Sequence, residues 1–406
     1  MIEYDAIIIG TGQAGPSLAA RCAEEGLKTA VIERHLFGGT CVNTGCTPTK
    51  ALVASARAAH MANRMDDFGI SIGGPVTVDM QKVKARKDAI VKESTEGVES
   101  WMKNTENLTV YEEHARFEKP KVLSVGDEHL TADKIFMNVG GRAFIPPGFE
   151  EVDYLTNSSM MELDTVPEHL IIVGGGYIGL EFGQMYRRFG SNVTIIEQGE
   201  QLLSKEDEDI SQAIQTILED EGVVFRFKAE CLGGTNKKGK VVVDVDCTEG
   251  PPEIEGSHLL LATGRRPNTD DLGLENTEIE TDDRGFIQVD DQLRTTAEGV
   301  WALGDCNGEG AFTHTAYNDF EIVAANLFDD DPRRVSDRIM CYGLFIDPAL
   351  GRAGMTEAQA RASDRNVLMG KRSMDRIARA KEKGETKGFM KILIDADTDE
   401  ILGAAI

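Results

Sequence analysis

No apolar run in this chain approaches the length of a membrane span; the longest, such as DAIIIG and HLIIVGG, are strand-sized. Basic residues are scarce beside acidic ones, 43 Lys and Arg against 69 Asp and Glu, giving a formal net charge of -26. Such a chain repels polyanions at long range, so neither nucleic acid nor an anionic membrane surface is expected as a partner. The acidic stretches EDEDI (206–210) and FDDDPRR (328–334) read as wet helix ends or loops. The opening MIEYDAIIIG lacks a basic segment followed by a long apolar one; no secretory signal is expected, and a cytoplasmic enzyme is the default. Cysteine is sparse as well: seven, an odd number, scattered apart from Cys41 and Cys46. That argues against an extracellular disulfide scaffold and suits a reducing compartment, where a close pair is catalytic or metal-binding.

What the chain does have is a repeat. At 406 residues, two or three domains are expected. YDAIIIGTGQAGPSLAARCAEEGLKTAVIE reads as a buried strand, a turn through Gly10-x-Gly12-x-x-Gly15, an alanine-rich helix and a second strand ending at Glu33. HLIIVGGGYIGLEFGQMYRRFGSNVTIIE repeats it through Gly174-x-Gly176-x-x-Gly179 to Glu197, and the interval between the units is the same at the glycines and at the glutamates. In such a unit the first glycine permits a tight turn, the second lets a pyrophosphate approach the backbone, and the third lets helix and strand pack closely. The helix N-terminus offers free N–H groups, and the acid ending the second strand accepts from a ribose diol. A lone glycine triplet is weak evidence; two full units, each ending in Glu, imply two dinucleotides.

GGTCVNTGCTPTK (38–50) follows the first unit, so Cys41 and Cys46 are placed near whatever the first nucleotide carries. A zinc site needs a second close Cys/His pair, and none stands at a convincing spacing; a catalytic dithiol is the better reading, two unconnected loop thiols the bland one. These motifs, with LLLATGRRPN (259–268) and TTAEGVWALGDC (295–306), resemble the pyridine nucleotide-disulfide oxidoreductases over essentially the whole chain. GGTCVN and GCTPTK look most like members related to mercuric reductase, with dihydrolipoamide dehydrogenase and glutathione reductase as cousins.

The resemblance implies an α/β fold of two Rossmann-like dinucleotide-binding domains plus a truncated α+β C-terminal dimerisation domain. It implies an FAD domain over 1–150 and 266–335, an NAD(H) domain over 151–265, and a partial interface domain over 336–406, with a homodimer as the full-length form. FAD would contact the first glycine turn, Glu33, Thr40, Ala115, Asp305 and His314; NAD(H) would contact the second turn, Glu197 and Gly264. Lys50 and Glu181 would pair beside the flavin. Tyr177 would act as a gating aromatic, or simply as a packing tyrosine. Cys46 would lie nearer the flavin and Cys41 would meet the substrate. Without the resemblance, Lys50 is a solvated lysine, Asp305 a turn residue and His314 a surface histidine.

Glu197, with no arginine in the following EQGEQLL, disfavours a 2'-phosphate. Like charges 4 Å apart cost about 1 kcal/mol in water and about 4 at an effective dielectric of 20, so NADH is the expected donor. The expected acceptor is a soft metal ion such as Hg(II) or a related electrophile, the alternatives being a disulfide such as lipoamide, or no turnover at all, as an FAD-binding fragment or a redox sensor. No resident metal site is expected. The closing FMKILIDADTDEILGAAI reads as strand, turn, strand, and none of the seven histidines lies in it. A chain ending inside a sheet would leave an unpaired edge, so a C-terminally incomplete chain is expected.

Overall fold

A computed structural model describes residues 1–247 and 250–406, with the side chain of Cys247 excluded. Two compact units form: one from Met1–Thr49, Lys87–Arg142 and Arg265–Arg338, the other from Lys50–Arg86, Ala143–Gly264 and Ile339–Ile406.

The first unit is built on a sheet whose strands run in the order Leu108–Tyr111, Thr29–Ile32, Ile2–Ile9, Glu128–Met137, Val122–Val125, Ala115–Lys119, with Val300–Ala302 also on Glu128–Met137. Ile2–Ile9 lies parallel to both neighbours, Ile9 opposite Ile32 on one side and Met137 on the other. Ile7 and Ile8, which point to opposite faces, are both fully buried, as expected of a parallel strand covered on both sides. Its C-terminal end is where the glycine turn begins and the helix Gly15–Glu24 departs, the crevice at which open α/β sheets bind ligands.

The second unit repeats this with the parallel order Val223–Arg226, Asn192–Ile196, His169–Val173, His258–Leu261, and with the helix Tyr177–Phe189 leaving the second glycine turn. Its side chains Leu180, Phe182, Met185, Tyr186 and Phe189 join a core that extends to Leu344, Ile346 and Leu350. An antiparallel three-stranded sheet, Ala229–Lys237, Lys240–Cys247 and Glu253–Gly256, packs on the other side of the parallel strands through Val241, Val243 and Ile254.

The terminal region of that unit is a five-stranded antiparallel sheet, ordered Cys341–Leu344, Leu350–Gly354, Ile401–Ala405, Phe389–Asp395, Val367–Ser373. This corrects the expectation of an unpaired edge: the last strand is hydrogen-bonded on both flanks, Ala404 facing Ala353 on one side and Ile392 on the other. A second correction concerns EDEDI. Glu206 and Asp207 are not wet; Arg352 donates to Glu206 Oε2 at 2.6 Å and to Asp207 at 3.1 Å, with the Glu206 side chain fully buried. Lys391, equally buried, bonds Asp209 at 2.9 Å and Glu357 at 2.8 Å. Acids that look like a solvated run in the sequence are held by cations from distant strands. Cys341, at the start of the terminal sheet, is exposed.

Candidate functional site

The repeat extends to individual hydrogen bonds. Glu33 Oε2 accepts from the Thr11 N–H at 2.9 Å and from Thr11 Oγ1 at 2.6 Å, while Oε1 accepts from the His35 N–H at 2.9 Å. Glu197 Oε2 accepts from the Gly175 N–H at 2.8 Å and Oε1 from the Gly199 N–H at 2.7 Å, the equivalent positions of the second unit. Each acid therefore braces its own glycine turn. With about four acceptor positions per carboxylate, room remains on both for a diol.

Packing separates the glycines by role. A Cβ on Gly15 would stand 2.2 Å from Gly10 O, and one on Gly179 2.1 Å from Gly174 O, so these two residues set helix-to-turn contact. A Cβ on Gly10 or Gly174 would meet the backbone of Asn138 or Ala262. Gly176 differs: nothing lies within 4 Å of its Cβ position, and the helix behind it begins without a side-chain cap. The helix after the first turn is likewise uncapped. In the second unit, uncapped N–H groups over an open turn, beside a carboxylate with acceptor capacity left, fit a dinucleotide; in the first, Glu33 keeps that capacity while a Cβ on Gly12 would stand 2.8 Å from Asn138 Oδ1.

Asn138 was not anticipated. Its side-chain oxygen accepts from the Gly15 N–H at 3.1 Å and its amide donates to Leu303 O at 3.0 Å, tying the first turn to the strand before Asp305. Asp305 accepts from Arg265 Nε at 3.2 Å. Ala115 opens its strand and is buried, Thr40 is exposed on the short helix Gly39–Asn43, and Gly264 adopts φ +129° with open space around it.

Cys41 sits in Gly39–Asn43 and Cys46 opens the helix Cys46–Asn63; Cys46 is exposed. A thiol at a helix N-terminus is favoured as thiolate by the dipole. A hydrogen bond with Cys46, then burial, push the Cys41 thiol up, so it keeps its proton. One hydroxyl reaches both sulfurs: Thr313 Oγ1 lies 3.0 Å from Cys46 Sγ and donates to Cys41 Sγ at 3.3 Å. The sequence reading named this segment for His314, whose ring instead stacks on Phe312 with centroids 5.5 Å apart.

In the second unit the Lys50 ammonium meets Glu181 Oε2 at 2.6 Å and lies 4.2 Å from the centre of the Phe345 ring. Glu181, Gln184 and Arg188 fall on one face of the helix Tyr177–Phe189 and grip the segment 345–347. Glu181 Oε1 accepts from the Phe345 N–H at 2.9 Å, Gln184 Oε1 from the Asp347 N–H at 2.8 Å, and Arg188 donates to Asp347 Oδ2 at 2.8 Å. The spacing 181, 184, 188 was visible as a polar stripe, but its partner, far along the chain, was not.

Tyr177 packs edge-on against Tyr342, ring centres 5.6 Å apart, and Tyr342 in turn hydrogen-bonds Glu206. Burial raises the Tyr177 phenol, which therefore stays neutral at physiological pH. Among the described residues no helix is long and apolar enough to cross a membrane, and no group of three or more His, Cys, Asp or Glu is placed to hold a metal ion.

Two dinucleotide turns, a close thiol pair and a terminal antiparallel sheet define a class of flavoprotein reductase. Residues 4–319 match the family described as pyridine nucleotide-disulphide oxidoreductase, and residues 340–406 match that family's dimerisation domain. The chain belongs to this family, which uses FAD and NAD(P)H; it is an oxidoreductase, and its dimerisation domain supports a homodimer.

Similar proteins carry different names. The dihydrolipoyl dehydrogenase of Bacillus subtilis (strain 168) is 33% identical over 419 residues, covering 99% of this chain and 88% of that protein. The mercuric reductase of Staphylococcus aureus is 31% identical over 416 residues, covering 100% of this chain and 74% of that one. A solved Cu(II) complex of the HOCl-induced flavoprotein disulfide reductase RclA from Escherichia coli superposes with a TM-score of 0.89 at 34% identity, covering 99% of this chain and 89% of that one.

Proposed function

We propose that the chain is an NADH-linked flavoprotein whose Cys41–Cys46 pair delivers electrons to a soft metal ion such as Hg(II) or Cu(II). The observation that carries this reading is the convergence of both sulfurs on Thr313, with Cys46 exposed at a helix N-terminus. Two soft donors within reach of one hydroxyl suit both disulfide formation and capture of a thiophilic ion. Bound FAD supplies hydride acceptance and passes electrons to a disulfide.

In this reading Gly10, Gly12, Gly15 and Glu33 seat the FAD, helped by Thr40, Ala115, Asp305 and His314. Gly174, Gly176, Gly179, Glu197 and Gly264 seat the nicotinamide donor, and Tyr177 covers its approach. Lys50, fixed by Glu181, keeps a positive charge oriented by a hydrogen bond and an aromatic face. Glu197 faces the donor's ribose and repels a 2'-phosphate, selecting NADH. Cys46 is the first thiolate of the reduced pair and Cys41 the thiol that exchanges with substrate. A relative named mercuric reductase and a relative solved with Cu(II) support the metal acceptor.

A second reading, reduction of a dithiolane or linear disulfide, is favoured by the relative named dihydrolipoyl dehydrogenase. NADH oxidation by the full chain is to be measured with Hg(II), Cu(II), lipoamide and glutathione disulfide, alongside Cys41→Ser and Cys46→Ser. Turnover with a metal ion that both substitutions abolish is expected. Turnover confined to the disulfides overturns the metal reading, and turnover with none of the four overturns both and favours an FAD-binding fragment or a redox sensor.

A further inference from the structure

We infer that Thr313 is a catalytic residue of the thiol pair: its hydroxyl donates to the thiolate of the reduced pair and sets the pH at which that pair becomes nucleophilic. The inference rests on the redox reading of Cys41 and Cys46 given above and adds a residue to it.

The geometry is specific. Thr313 is the first residue of the helix Thr313–Ala324, directly after its N-cap Phe312. Its hydroxyl lies 3.0 Å from Cys46 Sγ and 3.3 Å from Cys41 Sγ, within the longer reach that sulfur allows. The helix that presents it is anchored from inside. Asp319, fully buried, accepts from the Gly304 N–H at 2.7 Å and from Asn307 Nδ2 at 3.0 Å, and is ion-paired with Arg338. Thr313 is therefore held by a rigid element rather than by a mobile loop.

The chemistry balances around one proton. Two electrons from the nicotinamide donor and one proton convert Cys41–S–S–Cys46 into Cys41–SH and Cys46–S⁻: the S–S bond breaks and one S–H bond forms. A hydroxyl has a single hydrogen to donate, and the reduced pair has a single negative charge. Donation to Cys46 stabilises the thiolate there. When the charge moves to Cys41 for attack on a substrate, the same hydrogen turns to Cys41, and Thr313 Oγ accepts from the newly protonated Cys46. A hydrogen bond to an ionised acceptor is about twice as strong as a neutral one, so its loss registers in the titration. The groups acting on the Cys41 thiol are Cys46 and Thr313, the latter favouring ionisation. His314, next in the chain, stacks on Phe312, and Lys50, the next cation along the helix of Cys46, is bonded to Glu181.

The test is alkylation by iodoacetamide of the dithiothreitol-reduced holoprotein across pH from about 5 to 9, with the modified peptides mapped to Cys41 and Cys46. Wild type, Thr313→Val and Thr313→Ser are compared, and flavin absorbance is followed in each. If valine displaces the flavin, Thr313→Ala takes its place. The expected result is an upward shift of about one pH unit in the midpoint for the variant without a hydroxyl, about a tenfold slower alkylation below both midpoints, and a wild-type profile for the serine variant. An unshifted profile in the variant without a hydroxyl overturns the inference. Thiol counts before and after oxidation keep the two claims separate. A pair that still forms its disulfide while the midpoint stays put removes Thr313 alone; a pair that never forms one removes the redox reading with it.

Discussion

Lys50 Nζ donates to Glu181 Oε2 at 2.6 Å, and the acid is buried while the lysine is partly open to solvent. The other oxygen of Glu181 accepts from the Phe345 N–H, so one carboxylate serves a charge and a backbone donor at once. Glu181→Ala removes both and is expected to destabilise the fold by about 1–3 kcal/mol, because a buried donor loses its partner. Glu181→Gln keeps an acceptor for Phe345 and should cost less. Both should lower turnover by about 10²-fold if the oriented cation stabilises developing negative charge. Urea unfolding and NADH oxidation, run on the same samples, separate the two effects. Equal turnover in wild type and Glu181→Gln would remove Lys50 and Glu181 from the chemistry.

The glycines of the second turn should respond in opposite ways. Gly179→Ala places a methyl group 2.1 Å from Gly174 O and should lower the melting temperature, since backbone must move to admit it. Gly176→Ala meets nothing within 4 Å and should leave the melting temperature unchanged while raising the KM for the nicotinamide donor. A Gly176→Ala variant with wild-type KM would show that this turn does not approach a nucleotide.

Replacing Glu197 should change donor preference. Glu197→Ser removes the charge expected to repel a 2'-phosphate, and the ratio of kcat/KM for NADPH to that for NADH should rise by about tenfold or more. The same change frees the Gly175 and Gly199 N–H groups, so KM for both donors should rise as the turn loosens. An unchanged ratio would mean that Glu197 acts on the turn alone.

Thiol reactivity should divide by burial. Burial pushes the Cys22, Cys231 and Cys306 thiols up to about 12. At pH 8 about one such thiol in 10⁴ is ionised, and their reaction with iodoacetamide should be negligible in the native protein. Among the cysteines whose side chains are described, labelling of the reduced protein should therefore fall first on exposed Cys46 and Cys341, and on Cys341 alone once the pair is oxidised. Peptide mapping by mass spectrometry reads this directly. Rapid labelling of Cys306 in the folded protein would contradict its burial.

The two nucleotide-binding units were legible because their physics is local. A buried apolar strand, a glycine turn and an alanine-rich or amphipathic helix are contiguous in the chain, and the steric demand on Gly15 and Gly179 comes from the carbonyl of the residue that opens the same turn. The roles of Glu33 and Glu197 were legible only in part. Their place at the strand end predicted a ligand contact, whereas their hydrogen bonds to Thr11 and Gly175 show that each also holds its turn in shape. The acidic segment 206–209 misled because charge in a sequence carries no record of its counter-ions, here Arg352 and Lys391.

From sequence alone came the α/β class, the paired turns, the proximity of Cys41 to Cys46 and, by resemblance, the pairing of Lys50 with Glu181. Thr313 against both sulfurs, Asn138 behind the first turn, Phe345 over Lys50 and the interior position of the last strand were decided by tertiary structure. The physical reason is range. Turn sterics, helix caps and strand burial act between residues a few positions apart, while a hydrogen bond between Thr313 and Cys46 joins groups 267 positions apart whose meeting depends on every layer packed between them.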